Sequence, residues 1–166
     1  MNKISNIINN TNFALNYYFV RDKIEYKIHN LSIQEFCRTP RLHGKQGLYI
    51  IYDTGHDEIW YVGYTQREGF WKRIKKHIDS ANGNKQESTG IWACCSRWIE
   101  TNNYDFINSC SVFLVETTFC NQSLLKHIET GLIYELQPLA NKECFSWEKV
   151  SAFTSKKPDI LRHGSG

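Results

Sequence analysis

Apolar residues recur along this chain with two periods, and a change of period marks a change of secondary structure. Ile24, Tyr26 and Ile28 alternate after a charged turn, so "NYYFVRDKIEYKIHN" is predicted to form two short strands. Ser32 and Glu35 have capping-box spacing for a brief helix in "SIQEF", and "CRTPRLHGKQ" reads as a loop. Strands over 47–52 and 58–64, joined by a turn at 53–57, form a hairpin. Trp71, Ile74 and Ile78 predict a helix over 70–80, which "ANGNKQESTG" breaks. Ile91, Cys95, Trp98 and Ile99 share one face of a helix over about 91–100, and "SVFLVETT" is another strand. Leu124, Leu125, Ile128, Leu132 and Leu136 stripe a last helix over 122–137, which stops before Pro138. This order suggests an α+β domain whose antiparallel sheet is covered by helices.

Composition narrows the class. The chain has 166 residues, enough for one domain with a real core, and 41% hydrophobic with 22% charged residues is ordinary globular usage. No long apolar run is present, so neither a signal peptide nor a membrane span is expected and the protein reads as intracellular and cytoplasmic. The sequons at Asn9, Asn30 and Asn121 then carry no meaning. Cys37, Cys94, Cys95, Cys110, Cys120 and Cys144 include no Cys-x-x-Cys pair, which argues against zinc and for reduced core thiols. The net charge is only +3, but it is unevenly placed. Arg38, Arg41 and Lys45 in "RTPRLHGK", with Arg67, Lys72, Arg73, Lys75 and Lys76 in "REGFWKRIKKH", outweigh that net, so the rest of the chain is net negative. Such runs are either solvated faces or a phosphate-binding surface.

The hairpin mirrors itself, with "GLY" at 47–49 and "YVG" at 61–63. If Tyr52 faces Glu58 across a five-residue loop, Tyr49 sits opposite Tyr61 and Gly47 opposite Gly63, on one face of the pleat. Glycine weakens a strand interior, so the pair implies a close approach of backbone or ligand, or an easing of sheet twist beside packed tyrosines. Arg73 and His77, four apart, share a cationic helical face turned away from the Trp71/Ile74/Ile78 stripe. Glu129 lies among the leucines of its helix and is expected to be half in the core, where it either pairs with Arg73 or holds a cation. Gly131, mid-helix, hints at close packing nearby.

Together these residues resemble the GIY-YIG nuclease superfamily over roughly residues 46–142, closest in motif spacing to its small restriction-type endonucleases. "GLY", "YVG", "KRIKKH" and "IETGLIYELQPLANK" carry the resemblance, with Leu48 and Val62 replacing the isoleucines of the family name. It implies a three-stranded antiparallel sheet flanked by helices, preceded here by a β-hairpin and short-helix extension over 1–45 and followed by a tail over 143–166. It also implies divalent-metal-dependent hydrolysis of DNA phosphodiesters. Glu129 would bind Mg²⁺ or Mn²⁺, Tyr49 would act on the attacking water as base or positioner, and Tyr61 and His77 would bind phosphate or assist proton transfer. Arg73 would neutralise charge on the phosphoryl oxygens, and Asn141 would brace the site. Arg38, Arg41, Lys45, Lys72, Lys75 and Lys76 are the expected contacts to double-stranded DNA, with RNA the lesser alternative. One site cuts one strand, so a homodimer and a monomeric nickase are both open arrangements. The expected role is restriction or a mobile element, or else DNA repair, and the rival class is an inactive nucleic-acid-binding module on the same scaffold.

Overall fold

The two central strands explain the architecture, because both are apolar on each face and so need cover on both sides. The computed structural model describes residues 9, 15, 17, 19–83, 90–118, 121–153 and 155. Its sheet contains β1 (Tyr26–Ser32), β2 (Gln46–Asp53), β3 (Glu58–Thr65) and β4 (Cys110–Thr117), all antiparallel, in the order β1-β4-β2-β3. The helices are α1 (Ile33–Cys37), α2 (Gly69–Ala81), α3 (Ile91–Thr101), α4 (Phe106–Ser109), α5 (Gln122–Leu136) and α6 (Trp147–Phe153), with 3-10 turns at Pro40–Leu42 and Lys142–Cys144.

On one face, Tyr49, Ile51, Trp60, Val112 and Leu114 pack with Phe36, Phe70, Ile74, Cys95, Phe106, Val150 and Phe153. On the other, Leu48, Ile50, Val62, Phe113 and Val115 pack with Leu125, Ile128, Leu132 and Leu136 of α5 and with Leu15 and Phe19. The sheet is thus sandwiched between helical layers. Among the described residues, no helix is long and apolar enough to cross a membrane.

The expected three-stranded sheet is corrected to four strands. β1 pairs with β4 from Tyr26↔Thr117 to Ser32↔Ser111, so the "extension" supplies an edge strand of the same sheet. The strand expected before it is also corrected. Leu15, Tyr17, Phe19, Val20 and Arg21 are helical, and Leu15 and Phe19, four apart, are both fully buried. Alternation downstream of Arg21 obscured that four-residue spacing. The break over 81–90 and the tail beyond 155 lie largely outside the described residues.

The hairpin register also differs from expectation. Tyr49 pairs with Gly63 and Gly47 with Thr65, two residues away from the mirrored register. Between Ile51↔Tyr61 and Tyr52↔Ile59 the register shifts, leaving Trp60 as the extra residue of a bulge. Trp60 and Tyr61, consecutive in sequence, therefore both pack on the Tyr49 face. Both glycines have direct steric reasons. A Cβ on Gly63 would lie 2.5 Å from Cζ and Oη of Tyr49, and one on Gly47 (φ +143°) would lie 1.8 Å from the Val115 carbonyl oxygen.

Candidate active site

Four elements bring the sequence-derived site residues together at the β3 side of the sheet. β2 supplies Tyr49 and β3 supplies Tyr61, while α2 carries Arg73 and His77 one turn apart. α5 supplies Glu129, and Asn141 follows it. Leu139 and Ala140 donate their backbone N–H groups to the carbonyls of Ile59 and Trp60 at 2.9 and 2.8 Å. Asn141 then continues this seal with its side chain. Its Oδ1 accepts from Val62 N and its Nδ2 donates to Val62 O, both at 2.9 Å. The open edge of β3 is closed in this way, and its tyrosine is held in place.

Tyr49 and His77 lie deeper than the sequence implies. Tyr49 is 0% exposed and His77 8%, so the His77 side chain belongs to the buried face of α2 rather than to a solvated cationic one. Their Oη and Nε2 atoms are 2.9 Å apart. Burial, with the cations of Arg73 and Lys76, pulls the His77 pKa down to about 3, so the ring is neutral. Burial pushes the Tyr49 pKa up, reinforced by Tyr61 and opposed by Arg73. Arg73 and Tyr49 lie close enough for each to shift the other.

The outer part of the site is less satisfied. Tyr61 is half-buried, with its ring 4.0 Å from that of His77 and 6.2 Å from that of Tyr49. Its pKa is raised by burial and by the negative charges of Glu129 and Glu143, against the pull of Arg73. Arg73 has a buried Nε with no hydrogen-bond partner among the described residues, and its Nη1 is 3.8 Å from Glu68 Oε2. Glu129 is half-buried as expected and lies beside the Tyr64 backbone. Burial first, then Glu143, raises its pKa to about 7, while Arg73 and Lys126 oppose the shift. Glu129 and Arg73 sense one another without a close ion pair among those described.

Sequence reasoning missed Glu68, Trp92 and Glu143. Trp92, half-buried, has its ring 5.5 Å from His77 and 6.3 Å from Tyr61. Glu143 sits in the 3-10 turn after Asn141, and nothing in its own sequence context signals that it faces Glu129. The basic residues divide. Lys76 lies beside His77, whereas Lys72 and Lys75 pair along α2 with Glu68 and Asp79 at 3.6 and 2.9 Å. Lys45 is 3.8 Å from Glu116 on β4. Arg38 and Arg41 line a hollow with His29 and Asn30 of β1, at the opposite end of the strand order from Tyr61.

Among the described residues, no three His, Cys, Asp or Glu side chains form a metal cage. Glu129 still fits a hard cation. Its carboxylate is partly desolvated and burdened by a second carboxylate, and Mg²⁺ takes one or two carboxylates while keeping several waters. Compared with known protein families, curated proteins and solved structures, the chain shows no significant match.

Proposed function

We propose that the protein is a divalent-cation-dependent DNA endonuclease of the GIY-YIG type, in a restriction or mobile-element role. One observation carries the reading: an under-neutralised carboxylate, a guanidinium with an unpartnered donor and a half-exposed phenol converge at one edge of the sheet. Glu129 and water would hold Mg²⁺ or Mn²⁺, with Glu143 adding negative charge nearby. When bound, the ion polarises a phosphoryl oxygen and stabilises the leaving oxygen.

The chain's own groups divide the remaining work. Arg73 donates to the phosphoryl oxygens, where fixed donors are strongest as charge develops. Tyr61, open on one side, orients water or phosphate. Tyr49 is sealed and resists ionisation, so it positions Arg73 and His77 instead of serving as the base. His77 shares a hydrogen bond with the Tyr49 hydroxyl and holds the phenol at one angle. Asn141 fixes β3 beneath Tyr61.

The sealed Tyr49 favours one rival, a module that binds nucleic acid without turnover. Purified protein incubated with duplex DNA and Mg²⁺, alongside Glu129→Gln, separates the two. Cleavage lost in the variant supports the nuclease; retention of DNA without cleavage by the parent supports the binder. Mg²⁺ should also raise the melting temperature of the parent and not that of Glu129→Gln. Parallel RNA substrates decide the nucleic acid.

A further inference from the structure

The close packing beside the candidate site comes from α3 and not from α5. A Cβ on Gly131 would meet nothing within 4 Å, which corrects the packing expected there from the sequence. Trp92, in the first turn of α3, is instead clamped by rings on several sides. Its indole lies 6.3 Å from that of Trp60 and meets Phe106 edge-on at 5.9 Å, with His77 and Tyr61 tilted against it at 5.5 and 6.3 Å. Neighbours so placed hold the ring in one orientation, yet Trp92 is only half-buried. Trp60 gives its indole N–H to Tyr104, whereas Nε1 of Trp92 is open to solvent, with no hydrogen-bond partner among the described residues. Of the rings beside Tyr61 among those residues, Tyr49 and His77 are buried, so Trp92 is the one a ligand can reach.

We propose that Trp92 is a substrate-binding residue that takes an unpaired nucleobase beside the scissile phosphate, so that the DNA acted on is one with a base out of its stack. The proposal rests on the nuclease reading for the place of that phosphate, between Arg73 and Tyr61. The sugar and base attached there reach past the phenol, where the indole stands. Chemistry selects the base as the group it meets. An indole stacks on any base, and its N–H, a donor only, matches the acceptor atoms on a base edge. A phosphate calls for a cation, which tryptophan lacks. Inside a continuous duplex both faces of a base are covered by its neighbours, so contact with the indole requires a single-stranded, mismatched or extruded nucleotide.

Binding is measured apart from cleavage, by anisotropy of labelled DNA in chelator. Three probes are compared: a fully paired duplex, the same duplex with one unpaired base, and the latter with that base replaced by an abasic residue. The parent should bind the unpaired base about tenfold more tightly than the abasic probe, and the paired duplex no better than the abasic one. Trp92→Ala should erase the preference, and Trp92→Phe should keep most of it. Trp98→Ala, which removes a half-buried indole of the same helix packed on Tyr104 and Phe153, should leave it unchanged. The emission lost between the parent and Trp92→Phe should be quenched by the unpaired-base probe and not by the abasic one. A parent without the preference overturns the proposal, and so does a preference that survives Trp92→Ala. Cleavage in Mg²⁺ without the preference overturns it while leaving the nuclease reading in place; the preference without cleavage supports the base contact and removes the nuclease.

Discussion

The hairpin carries two constellations of the same residue kinds, a tyrosine, a histidine and a carboxylate, at its two ends. At the turn, Asp53 is 1% exposed and fully engaged. It accepts from the His56 backbone at 3.0 Å, bonds His56 Nδ1 at 2.8 Å and accepts from the Tyr104 hydroxyl at 2.5 Å. Tyr104 in turn accepts from Trp60 Nε1 at 3.1 Å. At the other end, Tyr49 and His77 close on each other while Arg73 keeps an unpartnered Nε and Glu129 carries a raised pKa. The first group has spent its hydrogen-bonding capacity and reads as structural; the second retains some. Residue type does not distinguish them. Residual polar capacity beside solvent does.

Substitutions can break this contrast. The largest effect is expected for Glu129→Gln, which should reduce cleavage about a thousandfold or more, consistent with the loss of several kcal/mol of charge stabilisation. The same variant should melt no lower than the parent. Asp53→Ala should do the reverse. It leaves His56 and Tyr104 without their acceptor and should cost about 3 to 5 kcal/mol in urea unfolding, with specific activity per folded molecule retained. If both variants lose stability equally, the two ends are alike and the contrast fails.

Gly63→Ala tests the outer edge of the working end. Its Cβ would meet the Tyr49 ring at 2.5 Å, and overpacking of this kind costs about 1 to 3 kcal/mol. Combined with Tyr49→Leu the cost should shrink, because the clash and its cause go together; additive losses in a double-mutant cycle would contradict the contact.

The smallest effect is on pH dependence, and it has two opposite signs. Folding raises the Glu129 pKa from 4.5 to about 7, so the native state keeps a proton the unfolded chain releases, and stability falls as pH rises through that window. Folding lowers the His77 pKa from 6.5 to about 3, so its contribution is full above 6.5 and is lost as pH falls toward 3. The stability gap between Glu129→Gln and the parent should therefore widen from pH 5 to pH 8, measured by denaturant titration in chelator. A constant gap would contradict the shift.

Much of this was legible from residue order. Helix stripes such as Ile74/Ile78 and Leu125/Ile128/Leu132 read directly, because burial follows the 3.6 period. The identities of Tyr49, Tyr61, Arg73, His77, Glu129 and Asn141 were readable too, and the fold gathers them. Three things were hidden for physical reasons. Register depends on a shorter turn, with Asp53 already paired to Glu58, and on a bulge at Trp60 that no local pattern announces; each moves the pairing by one residue, so Tyr49 faces Gly63 instead of Tyr61. The partner of β1 depends on the demand of β4 for a second neighbour, which is a tertiary matter. The depth of His77 depends on hydrophobic cover from other elements, since its four-residue spacing from Arg73 fits either face.

The bulge has a further consequence for chain length. One additional residue at position 60 reverses the in-out parity of everything before it relative to everything after. Excising Ile59 would turn the indole of Trp60 toward α5, whereas excising Trp60 itself would remove the bulge and leave Tyr61 on its own face. Restoring one residue of length ahead of Trp60 would return the indole to its own face, whatever the identity of that residue.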